Sequence, residues 1–162
     1  MDFLYSYGFR QYGIVPRTTE GLVGIITSPL LHGNVQHIIS NTVPLLFLGA
    51  VLFFFYNNIA SRVFLGCYFL TNILVWLFAR YSNHIGASGL IYGLASFLIF
   101  SGLFRKDFLS LIISIVIIFL YGYFVYGIIP SDPNISWEAH LSGAIVGIVL
   151  SYVFRNKKFT VE

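Results

Sequence analysis

The chain has 162 residues, 57% of them hydrophobic and only 9% charged, with a formal net charge of +3 and a mean hydropathy of +0.84. Soluble domains of this length do not carry that balance, so the composition predicts an integral membrane protein. The basic residues stand mostly singly at the ends of apolar runs, which argues against a nucleic-acid footprint, and Cys67, the lone cysteine, offers no disulfide framework and reads as a small core hydrophobe.

In chain order, the first 36 residues are mixed, Gly-rich and interrupted by Pro16 and Pro29, too broken to span a bilayer. No signal peptide is expected, because a basic n-region and an h-region are both missing. The run GLVGIITSPLLHG at 21–33 is expected to lie in the membrane interface or dip into it. Five apolar stretches of spanning length follow, at roughly 37–56, 61–79, 88–104, 108–129 and 137–154. Short polar punctuations separate them: NN at 57–58, RYSNH at 80–84, RKD at 105–107 and the turn-forming PSDPN at 130–134. The expected fold is all-α, one polytopic transmembrane helix bundle. An interfacial region at 1–36 precedes a helical domain at 37–155, and a short cytoplasmic tail follows at 156–162.

Alternating spans put Arg10, Arg17 and Arg80 on one side, and Arg62, Arg105, Lys106, Arg155, Lys157 and Lys158 on the other, which is cytoplasmic by the positive-inside rule. His32, His37, Asn41, His84, Ser88 and His140 all fall toward the outer side. Counting back from the inner ends at about 1.5 Å per residue puts Ser88 roughly 25 Å above Arg105 and His140 roughly 22 Å above Arg155. Asn41 comes out roughly 24 Å above Asn57, and the hydrocarbon core is about 30 Å thick. Three polar groups on three helices thus converge on one depth, where such groups are costly unless they face a protein interior or a watery cavity.

Ser88 and His140 supply a nucleophile and a base: a serine hydroxyl is weak until a base takes its proton, and histidine is the usual base. A helix opening near Ser88 directs free N–H groups toward a developing oxyanion. His37 and Asn41, spaced i, i+4, share one helix face, and both can donate to that oxyanion. Tyr92, one turn below Ser88, is placed to pack on the His140 ring. Gly143 and Gly147 form a smooth stripe on the His140 helix, matched by Gly89 and Gly93, which lets the two helices approach. His32 and His84 read instead as structural, the first pinning a loop, the second either a hydrogen-bonded structural residue or an exposed loop residue. No HExxH pattern occurs, and His37 and His140 lack the carboxylate or thiolate company of a metal site, so no metal site is expected. The G-x-S-x-G elbow of soluble hydrolases does not fit, because Leu90 stands two residues after Ser88.

Three patterns together resemble the signature set of the rhomboid intramembrane serine proteases. They are GASG at 86–89, which includes Gly86, the H-x4-H-x3-N of His32, His37 and Asn41, and AHLSGAIVG at 139–147. The resemblance runs from about Gly13 to Arg155. It implies a Ser–His dyad without an acid, an oxyanion hole of His37, Asn41 and the Ser88 backbone N–H, Tyr92 beneath His140, and His32 steadying the first loop. It also implies cleavage of transmembrane segments of other membrane proteins, with the lipid bilayer as setting and no metal, cofactor or nucleic acid. Two features depart from the family pattern. A first core helix is missing, since DFLYSYG at 2–8 is too short, and Val23 and Gly24 stand near the place of a Trp-Arg pair. The expectation is an intramembrane serine endopeptidase, in a membrane whose compact chain and short loops suit a bacterial inner membrane. A catalytically inactive holder of transmembrane clients is the alternative, and a small channel or transporter fits less well because the polar residues occupy one leaflet.

Overall fold

A computed structural model describes residues 9–133 and 135–157, without the side chains of Phe9 and Arg10. The stretch 2–8, Asn134, Lys158 and the rest of the tail lie outside the described residues. The architecture is an all-α bundle. A short helix α1 (Gly24–Thr27) is followed by α2 (Val35–Phe55), α3 (Asn57–Phe78), α4 (Ser88–Arg105), α5 (Phe108–Tyr121) and α6 (Trp137–Val153), with short 3-10 turns between them.

Among the described residues, four stretches are long and apolar enough to cross a membrane: α2, α3, α4 and the segment Phe108–Ile128. The fifth expected span, α6, has 17 residues. At about 1.5 Å per residue it covers roughly 26 Å, the short end of what a bilayer accepts. Two boundaries differ from the sequence expectation. Asn57 and Asn58 do not separate helices but form the first turn of α3, with Tyr56 alone as the break. The Asn57 side chain accepts from the Asn58 N–H at 2.7 Å, so it satisfies one of the donors a helix start leaves open. The apolar run 108–129 is not one α-helix either: after Tyr121 it tightens into a 3-10 stretch, Gly122–Ile128.

Local chemistry sets the remaining ends. Asn34 caps α2, its Oδ1 accepting from the His37 N–H at 2.7 Å. Asp107 caps α5, accepting from both the N–H and the hydroxyl of Ser110 at 2.8 Å. Lys106 closes α4 in the left-handed conformation, φ 56°.

Helix α4 is the axis of the bundle, packed by α6, α5, α3 and α2. Leu94, Phe97 and Leu98 of α4 are fully buried among Leu48 and Leu52 of α2, Val63 and Cys67 of α3 and Ile117 of α5. Apolar burial does not drive helices together in lipid, so close packing and hydrogen bonds must do it. The α4–α6 seam meets that demand: a Cβ added at Gly143 would stand 2.0 Å from the Gly89 carbonyl oxygen, and one at Gly147 2.1 Å from that of Gly93. Side chains such as Phe54, Phe78, Phe108 and Phe119 point outward instead, far more apolar surface than a soluble monomer exposes.

The N-terminal region packs beside α3 as a chain of short helical turns. Gly21, Gly24 and Ser28 turn inward, while Leu22, Val23, Ile26 and Leu30 are exposed, an amphipathic pattern suited to an interface. Tyr68, Asn72 and Trp76, one turn apart on α3, donate to the carbonyls of Ile26, Ile25 and Thr18, the last two at 2.9 Å. Arg17 adds bonds to the carbonyls of Leu77 and Ala79 at 3.2 and 2.8 Å. The first loop is therefore held from α3. Arg17 and Arg80 sit at one end of the bundle. Arg62 and Arg105 meet Phe154 at the other, the separation that alternating spans require.

Candidate active site

Ser88 is the first residue of α4, half-buried, and no side chain caps that helix start. The backbone N–H groups of its opening turn therefore lack helical acceptors. His140 lies in the first turn of α6, buried to 9% exposure. The glycine seam brings the two together: His140 Nε2 and Ser88 Oγ are 2.9 Å apart. On the other side of the ring, Nδ1 lies 2.8 Å from the Gly127 carbonyl oxygen. The Tyr92 ring stacks on the imidazole, with centroids 4.1 Å apart and planes within 3°. Phe124 stacks on Tyr92 in turn, and the Tyr92 hydroxyl donates to the Phe124 carbonyl at 2.9 Å.

Ser88, His140, His37, Asn41 and Tyr92 line one cavity of about 760 Å³, together with Asn34, Ser40, Arg80, Asn83 and Phe124. The Gly33 N–H donates to His37 Nδ1 at 3.3 Å, so the neutral ring carries its proton on Nε2, a donor available to the cavity. Asn41 is buried. Its Nδ2 donates to the His37 carbonyl one turn back at 2.7 Å, which uses one of its two N–H groups, and its Oδ1 is buried without a partner among the described residues. Gly86, at φ +109°, lies against the His37 ring.

His32, Gly86, Gly89, Gly143 and Gly147 are not among the cavity-lining residues. His32 meets His37 edge to face, with centroids 5.0 Å apart. Burial lowers its pKa, partly offset by a hydrogen bond with the Leu30 backbone. Among the described residues no group of three or more His, Cys, Asp or Glu is placed to hold a metal ion.

A family model for the Rhomboid domain matches residues 19–157, almost the whole described chain. The chain belongs to the rhomboid family. Uncharacterized proteins of Mycobacterium tuberculosis and Mycobacterium bovis are each 37% identical to this rhomboid over 152 residues, covering 87% of its chain and 62% of theirs. One from Mycobacterium leprae is 32% identical over 170 residues, covering 94% and 64%. The rhomboid thus spans less than two thirds of the length of these curated relatives. No solved structure matches it.

Several residues of the rhomboid site escaped the sequence. Gly127 and Phe124 fall in a run that reads as continuous apolar helix; the glycines at 122 and 127 were the available signal. A polar clasp between the loop before α4 and the loop before α6 was equally hidden. Arg80 Nε pairs with Glu138 at 3.5 Å, and the same guanidinium donates to the carbonyls of Pro133 and Ile135 at 2.8 and 2.7 Å. His84, 4% exposed, joins Ser136 Oγ at 2.6 Å and the Arg80 carbonyl at 3.0 Å, and its backbone bridges Ile14. His84 also lines the cavity, and at 4% exposure it is not the exposed loop residue that the sequence left open.

Proposed function

We propose that this rhomboid is an intramembrane serine endopeptidase that cleaves transmembrane segments of other membrane proteins, in a bacterial inner membrane. The 2.9 Å approach of His140 Nε2 to Ser88 Oγ carries the reading, because a base at that distance turns an inert hydroxyl into a nucleophile.

In this mechanism Ser88 Oγ attacks the scissile carbonyl while His140 Nε2 takes the hydroxyl proton. The carbonyl oxygen becomes a tetrahedral oxyanion that accepts from the His37 Nε2–H, from the second N–H of Asn41 and from the backbone N–H of Ser88. His140 then returns its proton to the departing amine, the C–N bond breaks, and an ester remains on Ser88. Water, deprotonated by His140, attacks that ester and releases the acid product and free Ser88. The polar cavity supplies a route for that water. Mycobacterial relatives support the bacterial setting.

The test is labelling of the purified protein in liposomes with a fluorophosphonate probe. Wild type is expected to label, and Ser88→Ala and His140→Ala are expected to lose it. With a transmembrane substrate, His37→Ala and Asn41→Ala are each expected to cost about 10²- to 10³-fold in kcat. A wild type that neither labels nor cleaves any transmembrane substrate would overturn the protease reading in favour of a client-holding protein.

A further inference from the structure

We infer that the main-chain carbonyl of Gly127 is the positioning group of the dyad, holding His140 as the Nδ1–H tautomer so that the Nε2 lone pair faces Ser88. The inference rests on the protease reading above and deepens it.

A carbonyl oxygen can only accept, so at 2.8 Å from Nδ1 it requires the proton on that nitrogen. A neutral imidazole carries one N–H, which leaves Nε2 as the acceptor for Ser88. A serine dyad needs such a third group to choose tautomer and ring angle, the task a buried carboxylate performs in a triad. Glu138, two residues before His140, does not take that place: its Oε1 pairs with Arg80, and its Oε2 is buried without a partner among the described residues.

The fold frees this carbonyl and fixes it in place. Had α5 continued as an α-helix, the Gly127 oxygen would have been spent on an N–H four residues on. The 3-10 stretch stops at Ile129, whose backbone is extended, so the carbonyl at its end is open to another donor. Tyr92 fastens the stretch from below through its bond to the Phe124 carbonyl and its stack on Phe124. Residue 127 can only be glycine there. Its φ is not left-handed, but a Cβ would fall 2.0 Å from the Tyr92 hydroxyl oxygen and 3.1 Å from His140 Nδ1. Space, not backbone freedom, demands the glycine.

During attack, His140 Nε2 gains the Ser88 proton and both ring nitrogens become donors. The Gly127 carbonyl dipole then faces the Nδ1–H of the imidazolium and keeps the ring in place until Nε2 delivers its proton to the leaving amine.

Solid-state 15N NMR of histidine-labelled protein in liposomes tests this, with His140→Ala assigning the His140 signals among the four histidines. Wild type is expected to show protonated Nδ1 and bare Nε2. Gly127→Ala is expected to mix or invert the tautomer and to lower kcat about 10²-fold with KM for a transmembrane substrate little changed, as a small displacement of a reacting group does. Gly127→Ala combined with Tyr92→Phe, which removes the oxygen the new methyl would strike, is expected to recover part of both. A wild-type His140 protonated on Nε2, or a Gly127→Ala protein with the wild-type tautomer, would overturn the inference even if proteolysis were intact. The expected tautomer in a wild type without turnover would overturn the protease reading, and the catalytic role of the carbonyl with it.

Discussion

Gly86 is the seat of the His37 ring: a Cβ built on it would stand 2.7 Å from Nε2 and 2.8 Å from Cε1. Its φ of +109° also lies where side chains are rarely tolerated. Gly86→Ala is therefore expected to displace the His37 donor and lower kcat by about 10²-fold or more. It should also destabilise the fold by about 1–3 kcal/mol. Gly49→Ala, in open space on α2, is the control and should leave kcat unchanged. Cleavage kinetics and thermal unfolding of both variants check this; an unaltered kcat for Gly86→Ala would remove His37 from the oxyanion site.

The ladder of donors on α3 makes a separate prediction for the first loop. Asn72 is buried, and Asn72→Leu would leave the Ile25 carbonyl without its donor, a loss of about 1–3 kcal/mol. Trp76→Phe removes one bond to Thr18 and should cost about 1 kcal/mol. Both variants should speed trypsin cleavage after Arg17, which wild type ties to the end of α3. Cleavage at the wild-type rate would mean that the loop is held by other contacts.

His84 gives the fold a pH dependence of known sign. Burial lowers its pKa from the ordinary 6.5, with smaller opposing effects from the Arg80 carbonyl and Glu138. The unfolded chain therefore takes up this proton at a higher pH than the folded one. Its contribution to stability is complete above about pH 6.5 and is lost as pH falls below that value. Unfolding midpoints in detergent from pH 8 to pH 5 should fall on the acid side. The fall should be shallower in His84→Asn; an equal slope in the two proteins would assign the pH dependence elsewhere.

Lys106 occupies a helix end that favours glycine. At φ 56° its side chain strains the backbone without a compensating bond to the α4 carbonyls among those described. Lys106→Gly is expected to raise stability by about 0.5–1 kcal/mol, seen as a higher unfolding temperature with kcat unchanged. A lower unfolding temperature would show that the lysine charge at this end outweighs the strain.

The sequence by itself determined the all-α membrane bundle, because bilayer thickness sets span length and leaves helices as the solution for apolar runs of this size. It also singled out Ser88, His140 and Asn41, since polar groups at one depth on separate spans have few places to go, and His37 through its i, i+4 spacing to Asn41. The glycine seam was legible for a similar reason: a spacing of four residues repeats on one helix face.

Only the tertiary structure decided what surrounds those groups. The Gly127 carbonyl, the Gly33 N–H on His37 and the carbonyls that hold the first loop are backbone atoms, identical at every residue and so absent from any pattern of side chains. Hydropathy did not show the stop of α5 at Tyr121 either, because it does not distinguish an α-helix from a 3-10 turn in an equally apolar run; only Gly122 and Gly127 hinted at it. The Arg80–Glu138 and His84–Ser136 pairs join residues 58 and 52 positions apart. No local period links them. The meeting of α3, α4 and α6 does.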